Sequence, residues 1–438
     1  MKLKALTISV AALTSLAGAA FAAPSGYAPG STLTTGAVSN PYALSSLAYN
    51  PASAQLMLRD DENIRFGWLT TIGTGIELGD VSNFEQEIND LSDELDRDDL
   101  TLSEGEALVD RFNAILPELG REGYMKLNSG VSVPLMPVVF NVGGMKGNFF
   151  VESGAELLIG GRFIDDEVTV QMNGSTGSIQ TQSSVYLKAG TGIRLGLGYA
   201  QPVWEGGEGW KSGQLIVGGK LDVHRLSLSK QVILIDDVDD LEDTIEDDYD
   251  KNEVSSTGVS LSLGAIWRAD MYQLGLTLNN INEPEFDYGP VGTNCDGLSG
   301  TSQNNCFQAQ AFIADGRIDG TETHKMRAYG TLDASVWLKP NLMLGTSFDI
   351  GEHEDFVGDD YQWMSVAAFY QPEFWAIPGV RVGYKQNQIG SELSSATFGF
   401  SLFRNINFDF EYGLDTTEVD GDSAPRNIAF NIGFEEHF

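Results

Sequence analysis

The sequence predicts an all-β protein: a transmembrane antiparallel β-barrel of about 14 strands with an N-terminal plug and a helical hairpin insertion, an even strand number being the rule for single-chain barrels. Three observations predict it. The stretch Arg426 to Phe438 places Ile428, Phe430, Ile432, Phe434 and Phe438 on alternate positions, with Asn427, Asn431, Gly433 and Glu435 on the other set. A strand alternates faces with period two, so one face is apolar and the other polar. The same alternation recurs upstream in hairpins joined by short turns on one side and long polar loops on the other, the asymmetry of a membrane barrel. Finally, the chain opens with an export signal, and no later stretch supplies the roughly 18 apolar residues of a spanning helix. A membrane must then be crossed with strands.

The export signal is a basic start at Lys2 and Lys4, an uncharged run from Ala5 to Ala20, and an A-x-A site at Ala20-Phe21-Ala22. Residues 1–22 are therefore expected to be a cleaved signal peptide, 23–60 a plug or hatch segment, and 61–438 the barrel with a helical insertion at 83–120. The small-residue stretch Pro24 to Val38 is expected to be extended. Two Asn-Pro steps follow, Asn40-Pro41 and Asn50-Pro51, the second continuing as Asn50-Pro51-Ala52. Asn is a good N-cap and Pro fits a first helical turn, so each step can start a short helix. Leu44, Leu47, Leu56, Met57 and Leu58 are too apolar to be left together in water, since each buried side chain contributes about 1.5–3 kcal/mol. The segment is expected inside the barrel, and its removal is expected to open a conducting pore.

Asn63 to Leu78 is the first strand expected. The chain then turns acidic and helical from Asn83 to Leu119. Phe84, Ile88, Leu91 and Leu95 fall on one helix face, and Leu108, Phe112, Ile115 and Leu119 on another. Ser103 and Glu106 are spaced as a capping box for the second helix. From Glu122 onward period two dominates. Val185, Leu187, Ala189, Ile193, Leu195, Leu197 and Tyr199 oppose Lys188, Arg194 and four glycines, and Leu215, Val217, Leu221 and Val223 oppose Lys220, Asp222 and His224. Hairpins follow at 259–278, 332–350 and 398–412, with long connections at 235–253, 282–322 and 415–425.

Composition narrows the function. The chain has 26 Lys+Arg against 62 Asp+Glu, a formal net charge of −36. That argues against nucleic acid as a partner, which requires a basic footprint. The acidic run from Ile235 to Asp250 lacks the spacing of a calcium loop, so no metal is assigned to it. Cys295 and Cys306 flank a flexible polar stretch. In an exported protein they are expected to form a local disulfide, since the spacing suits neither a redox pair nor a zinc site. The histidines stand apart in sequence, and neither a nucleophile-elbow nor a zinc-protease motif is present. No enzyme activity and no cofactor are expected.

The apolar row ending on Phe438 resembles the closing strand of bacterial outer-membrane barrels. There the terminal aromatic is a recognition feature for the insertion machinery, which assigns that role to Phe434 and Phe438. Asn50-Pro51-Ala52, placed between the export signal and the first strand, resembles the plug of the FadL family of outer-membrane transporters. The whole pattern, with the stretch I-P-G-V-R-V-G-Y from Ile377 to Tyr384, resembles the TraF-like conjugal transfer family, an outer-membrane branch related to FadL and PorV barrels. The resemblance implies the outer membrane of a Gram-negative bacterium, contact with outer-membrane lipid and no transferable catalytic residue.

Lys188, Arg194, Lys220, Asp222, His224 and Arg381 are the lumen-facing candidates, together with Arg327, Asp333, Lys385, Asp409 and Glu411. They either brace the interior or line a polar path. Lys188, Arg194 and Lys220 are also expected to donate to the plug's backbone carbonyls. Three functions are carried forward: a FadL-like barrel that binds or passes hydrophobic small molecules, an assembly barrel serving conjugation or secretion components, and a surface receptor without transport.

Overall fold

The strands close on themselves. The structure, a computed structural model, describes residues 28–59, 62–235, 249 and 251–435. Among these, a 15-stranded antiparallel sheet has two strands lying end to end in one stave, so the wall has fourteen staves. They are β1 (Ile64–Leu78), β2 (Tyr124–Ser132, continued by Val138–Asn141), β3 (Asn148–Ile164), β4 (Ser184–Gly206), β5 (Gly213–Leu234), β6 (Val254–Ala269) and β7 (Tyr272–Asn279). The wall continues with β8 (Tyr329–Lys339), β9 (Leu342–Ile350), β10 (Trp363–Tyr370), β11 (Gly379–Asn387), β12 (Ser394–Leu402), β13 (Ile406–Gly413) and β14 (Asn427–Glu435). Each stave pairs with its neighbours in order, and β1 pairs with β14 from Ile72↔Ile432 to Glu77↔Asn427, which closes the ring.

Polarity is inverted relative to a water-soluble protein. On β7, Leu274, Leu276 and Leu278 are 51, 41 and 45% exposed, while Gln273, Thr277 and Asn279 between them are buried. The same inversion runs along β4, where Ile193, Leu195 and Leu197 face out and Arg194 faces in. Such a surface suits hydrocarbon outside and hydrogen-bonding partners inside. No helix among the described residues is long and apolar enough to cross a membrane.

The connections are unequal. Short turns join β4–β5, β6–β7, β8–β9 and β12–β13 at one end, and the long connections lie at the other. At the long-loop end stand α1 (Phe84–Leu95) and α2 (Leu102–Glu122). Ile88, Leu91, Leu95, Phe112, Leu116 and Leu119 pack with Phe163, Val168, Ile179 and Ile235, so the hairpin is seated on the rim of β3 and β5. The α2 cap is Thr101 with Glu104, the Thr101 N–H donating to Glu104 Oε2 at 2.9 Å. The helix thus starts earlier than Ser103 and Glu106 suggested, and both of these lie inside its first turns.

Two further readings are corrected. The stretch between the cysteines is not a flexible loop: Cys306 lies within α3 (Thr301–Ala314), whose Asn305, Cys306, Ala309 and Phe312 are buried together. Residues 28–38 are not wholly extended either, because Thr32–Thr35 forms one helical turn. A confined backbone meets its own hydrogen-bonding needs this way. The signal peptide, most of the acidic run and Phe438 lie outside the described residues.

Candidate functional site

The lumen is filled from both ends. From the short-turn end enters the segment 28–59. Its helical turn lies against β10 to β13: Thr34 Oγ1 donates to Asp409 Oδ1 at 2.6 Å, and Thr397 Oγ1 donates to Thr34 O at 2.9 Å. Asp409 is held in turn by Arg381, whose Nη2 lies 3.0 Å from Oδ2. Further along, Ser39 donates through its N–H and its Oγ to the two oxygens of Asp333, at 3.0 and 2.9 Å.

The two Asn-Pro steps differ. Asn40 starts no helix; its Oδ1 accepts from Tyr42 N at 3.0 Å and turns the chain. Asn50 caps the short helix Pro51–Ser53, with Oδ1 accepting from Ala52 N at 3.0 Å. This turn rests on the wall where Gly218 of β5 pairs with Gly264 of β6. A Cβ at Gly218 would meet Ala52 N at 2.6 Å, and one at Gly264 would meet Asn50 Oδ1 at 2.1 Å. Two inward glycines therefore make the pit that receives Asn50-Pro51-Ala52. Leu44, Leu47, Ala52, Ala54 and Met57 then pack on Val139, Phe150, Ala200, Ile216 and Ile266 of the wall.

The polar candidates divide into separate groups. Arg194, Lys220 and Asp222 come together, joined by Glu152 of β3. Arg194 lies 3.1 Å from Asp222 and also pairs with Glu152, and Lys220 Nζ lies 2.8 Å from Glu152 and 3.4 Å from Asp222. Two cations facing two carboxylates satisfy one another in a buried setting where a lone charge would be costly. His224 is next along β5, its Nε2 2.8 Å from Ser260 Oγ. Lys188 stands apart near the long-loop rim, paired with Glu322. Arg381 is on the other side of the barrel under the helical turn. Arg327 is at the rim, bound to Glu352, Glu354 and Asp360.

Of the three basic residues expected to serve the segment's carbonyls, Lys220 does so, donating to Ala48 O at 3.2 Å. Arg65 of β1 serves more of them. Its guanidinium donates to Pro41 O, Met57 O and Tyr42 O, and it pairs with Glu435 of β14. Glu435 also accepts from Leu44 N at 2.9 Å. Arg65 was legible as an inward position of β1, since it alternates with Phe66 and Ile64. Glu152 and Glu156, four apart on β3 and hence on one face, could have been found the same way.

From the long-loop end, the connection 351–362 folds inward and places Phe356 and Val357 against Leu158, Leu226, Leu228, Phe286 and Met326. Above it a cavity of about 720 Å³ opens, lined by Glu77, Tyr124, Lys126, Arg162, Lys188 and Asp359 among others. Burial pushes Asp355 of this connection above the usual carboxylate range against the pull of Lys126. Burial acts on Asp359 in the same sense, but Lys126 and Arg162 outweigh it and hold Asp359 low. Cys295 and Cys306 are joined in a disulfide with Cα atoms 5.5 Å apart, in the long connection before β8. Among the described residues no group of three His, Cys, Asp or Glu side chains is placed to hold a metal.

The wall itself is interrupted once beside the segment. The β1–β2 ladder runs from Leu78↔Met125 to Ile72↔Val131 and resumes at Phe66↔Val138. Between these, Leu135 N donates to Trp68 O and Gly67 N to Pro137 O, both at 3.0 Å, while the β1–β14 register is shifted on the other side of the same stretch. Trp68 and Leu135 are exposed outward there, and Gly30 N of the segment donates to Thr71 Oγ1 from inside.

Over residues 47–349 the sequence matches the family described as F plasmid transfer operon, TraF, protein. No curated protein matches it. In structure it is similar to the Ralstonia pickettii toluene transporter TbuX, at 14% identity over 94% of this chain and 98% of that chain with a TM-score of 0.45. It is similar also to the P. putida toluene transporter TodX, at 13% over 94% and 99% with a TM-score of 0.47. A Pseudomonas aeruginosa FadL homologue is similar at 12% over 96% and 100%, with a TM-score of 0.43.

Proposed function

We propose that this chain, which belongs to the family of the F plasmid transfer operon TraF protein, is an outer-membrane barrel that binds or passes small hydrophobic molecules, with its N-terminal segment as a plug. The observation that carries the reading is the interruption of the wall between β1 and β2. A polar, doubly filled lumen offers an apolar solute no straight path along the axis. The interruption joins the apolar outer face at Trp68 and Leu135 to the edge of the plug at Gly30, where a solute can exchange between lumen and bilayer. Lipid covers the outer row, and the terminal strand with Phe434 and Phe438 is the assembly signal for the insertion machinery. The test is uptake of a small apolar fluorophore by intact cells with and without the protein. Uptake should rise with the protein and fall when Trp68→Arg and Leu135→Arg place charges at the interruption. Uptake equal to that of cells lacking the protein overturns the reading.

A second reading makes the barrel an assembly component of a conjugation or secretion system. The observation in its favour is the α1–α2 hairpin, which stands at the rim and exposes Asp98, Asp99 and Glu106. Deleting residues 83–120 should then abolish that assembly role and leave fluorophore uptake unchanged.

A further inference from the structure

The connection between β9 and β10 does not arch over the barrel mouth. It leaves the wall at Gly351, crosses the lumen and reaches β2, β3 and β4 on the far side. Its tip is received by inward glycines. A Cβ at Gly190 would lie 3.2 Å from Phe356 Cβ, one at Gly192 would lie 2.9 Å from Phe356 Cε2, and one at Gly160 would lie 3.1 Å from Val357 Cβ. A side chain at these positions would crowd Phe356 and Val357 and force the tip to shift.

The connection is a unit of its own. His353–Glu354 pairs with Asp360–Tyr361, and the Asp355 carboxylate accepts from Val357 N and Asp359 N at 3.0 Å each, which fixes the turn. Its return to the wall is tied by Gln362 N donating to Asn387 Oδ1 at 2.9 Å and Trp363 N donating to Asp349 Oδ2 at 3.0 Å. At its base Gly351 has φ 90°, a conformation that a side chain would resist, and a Cβ there would touch only Tyr329 Cβ at 4.0 Å. Between base and tip its backbone ladder is with itself and not with the barrel wall, while Arg327 at the rim spans both of its limbs through ion pairs to Glu352, Glu354 and Asp360.

What fastens the tip is one buried cation. Lys126 of β2 lies 3.3 Å from Asp355 Oδ2 and 2.8 Å from Asp359 Oδ2, and it also meets the Tyr361 hydroxyl. Arg162 pairs with Asp359 from β3. Without Lys126, Asp355 would remain as a buried carboxylate whose charge no neighbouring cation balances, which disfavours the seated position.

We propose that residues 351–362 are a second gate, closing the lumen from the long-loop end independently of the N-terminal segment, with Gly351 as hinge, the glycine pit as seat and Lys126 as latch. The gate swings as one piece because its turn is held by its own hydrogen bonds. His353 rides within the gate, buried with its ring 4.3 Å from that of Tyr329 on β8, and is bared when the gate lifts. The gate does not depend on what the barrel carries.

The test is thiol labelling of Val357→Cys in the full-length barrel, using a water-soluble maleimide; both native cysteines are already in their disulfide. Labelling should be slow in this parent. It should be about tenfold faster after Lys126→Met, since exposure follows the local opening equilibrium. Modification of His353 by diethyl pyrocarbonate, read by mass spectrometry, should rise in step while the heat-modifiable band stays folded. Equally slow labelling in a folded Lys126→Met barrel overturns the gate and makes the connection a fixed part of the wall. Fast labelling in the parent overturns it as well. If Lys126→Met does not fold, Phe356→Ala empties the seat without touching a charge and decides the matter by the same two readouts.

Discussion

Arg65 on the first stave and Glu435 on the last lie 3.7 Å apart across the seam of the barrel, both almost wholly buried. The backbone ladder is irregular beside them, with register shifts between Gly67 and Ile72. Both side chains also hold the N-terminal segment, so seam and segment share one pair of charges. Removing one partner strands the other, at a cost of roughly 3–5 kcal/mol for a buried pair. Arg65→Met and Glu435→Leu should each lower the temperature at which the folded band is lost on gels. The double variant should recover most of the loss. A double variant as unstable as the sum of the singles would show that the pair is not the link.

Gly218 and Gly264 form the pit under Asn50-Pro51-Ala52. Gly218→Leu should displace that turn, costing about 1–3 kcal/mol by overpacking, and expose the segment to protease added from the short-turn side. Gly219→Leu, one residue along and facing outward, is the control and should leave the segment protected. Equal protection in both variants would place the turn elsewhere.

His324 and His353 lie outside the barrel strands, and burial pushes both from 6.5 down to about 4. Around His324, Lys188 and Arg327 push the same way and Glu322 opposes them. The packed state therefore prefers both rings neutral. That preference is fully present above the ordinary value and is lost as pH falls toward 4, because the unpacked state takes up protons first. The displacement corresponds to on the order of 3 kcal/mol per histidine. Asp359 works in the same sense and Asp355 against it. Hydrogen-exchange protection of residues 351–362 should decline between pH 6.5 and 4, and His353→Phe should flatten the decline. Protection independent of pH in the unmodified chain would contradict this.

The Cys295–Cys306 bridge closes a short loop, with a sequence separation of 11. Chain-entropy reasoning gives such a loop roughly 2–3 kcal/mol of local stabilisation. Replacing both cysteines by Ser should speed hydrogen exchange in α3 and leave the melting of the barrel unchanged. A lowered barrel melting temperature would mean that α3 braces the wall itself.

The sequence by itself determined the barrel. The alternation along Val185–Tyr199 and Ile428–Phe434, and the unequal turns, require a ring of strands, because hydrocarbon outside and polar partners inside impose period two on every stave. It also marked Arg194, Lys220 and Asp222 as inward-facing, since parity along a strand is local. Only the tertiary structure decided which inward residues meet. Lys188 and Arg381 share that parity yet serve different ends of the lumen, and Arg65 of the first stave took up carbonyls of Pro41, Tyr42 and Met57. The gate was hidden for the same reason. Gly351 to Gln362 is written as a polar loop with two aromatics, Phe356 and Tyr361, and nothing near Phe356 in sequence shows that Gly190 and Gly192 leave a seat for it. Period two reports which side of a wall a residue faces, whereas contact across a lumen depends on stave order and register, which distant segments set together.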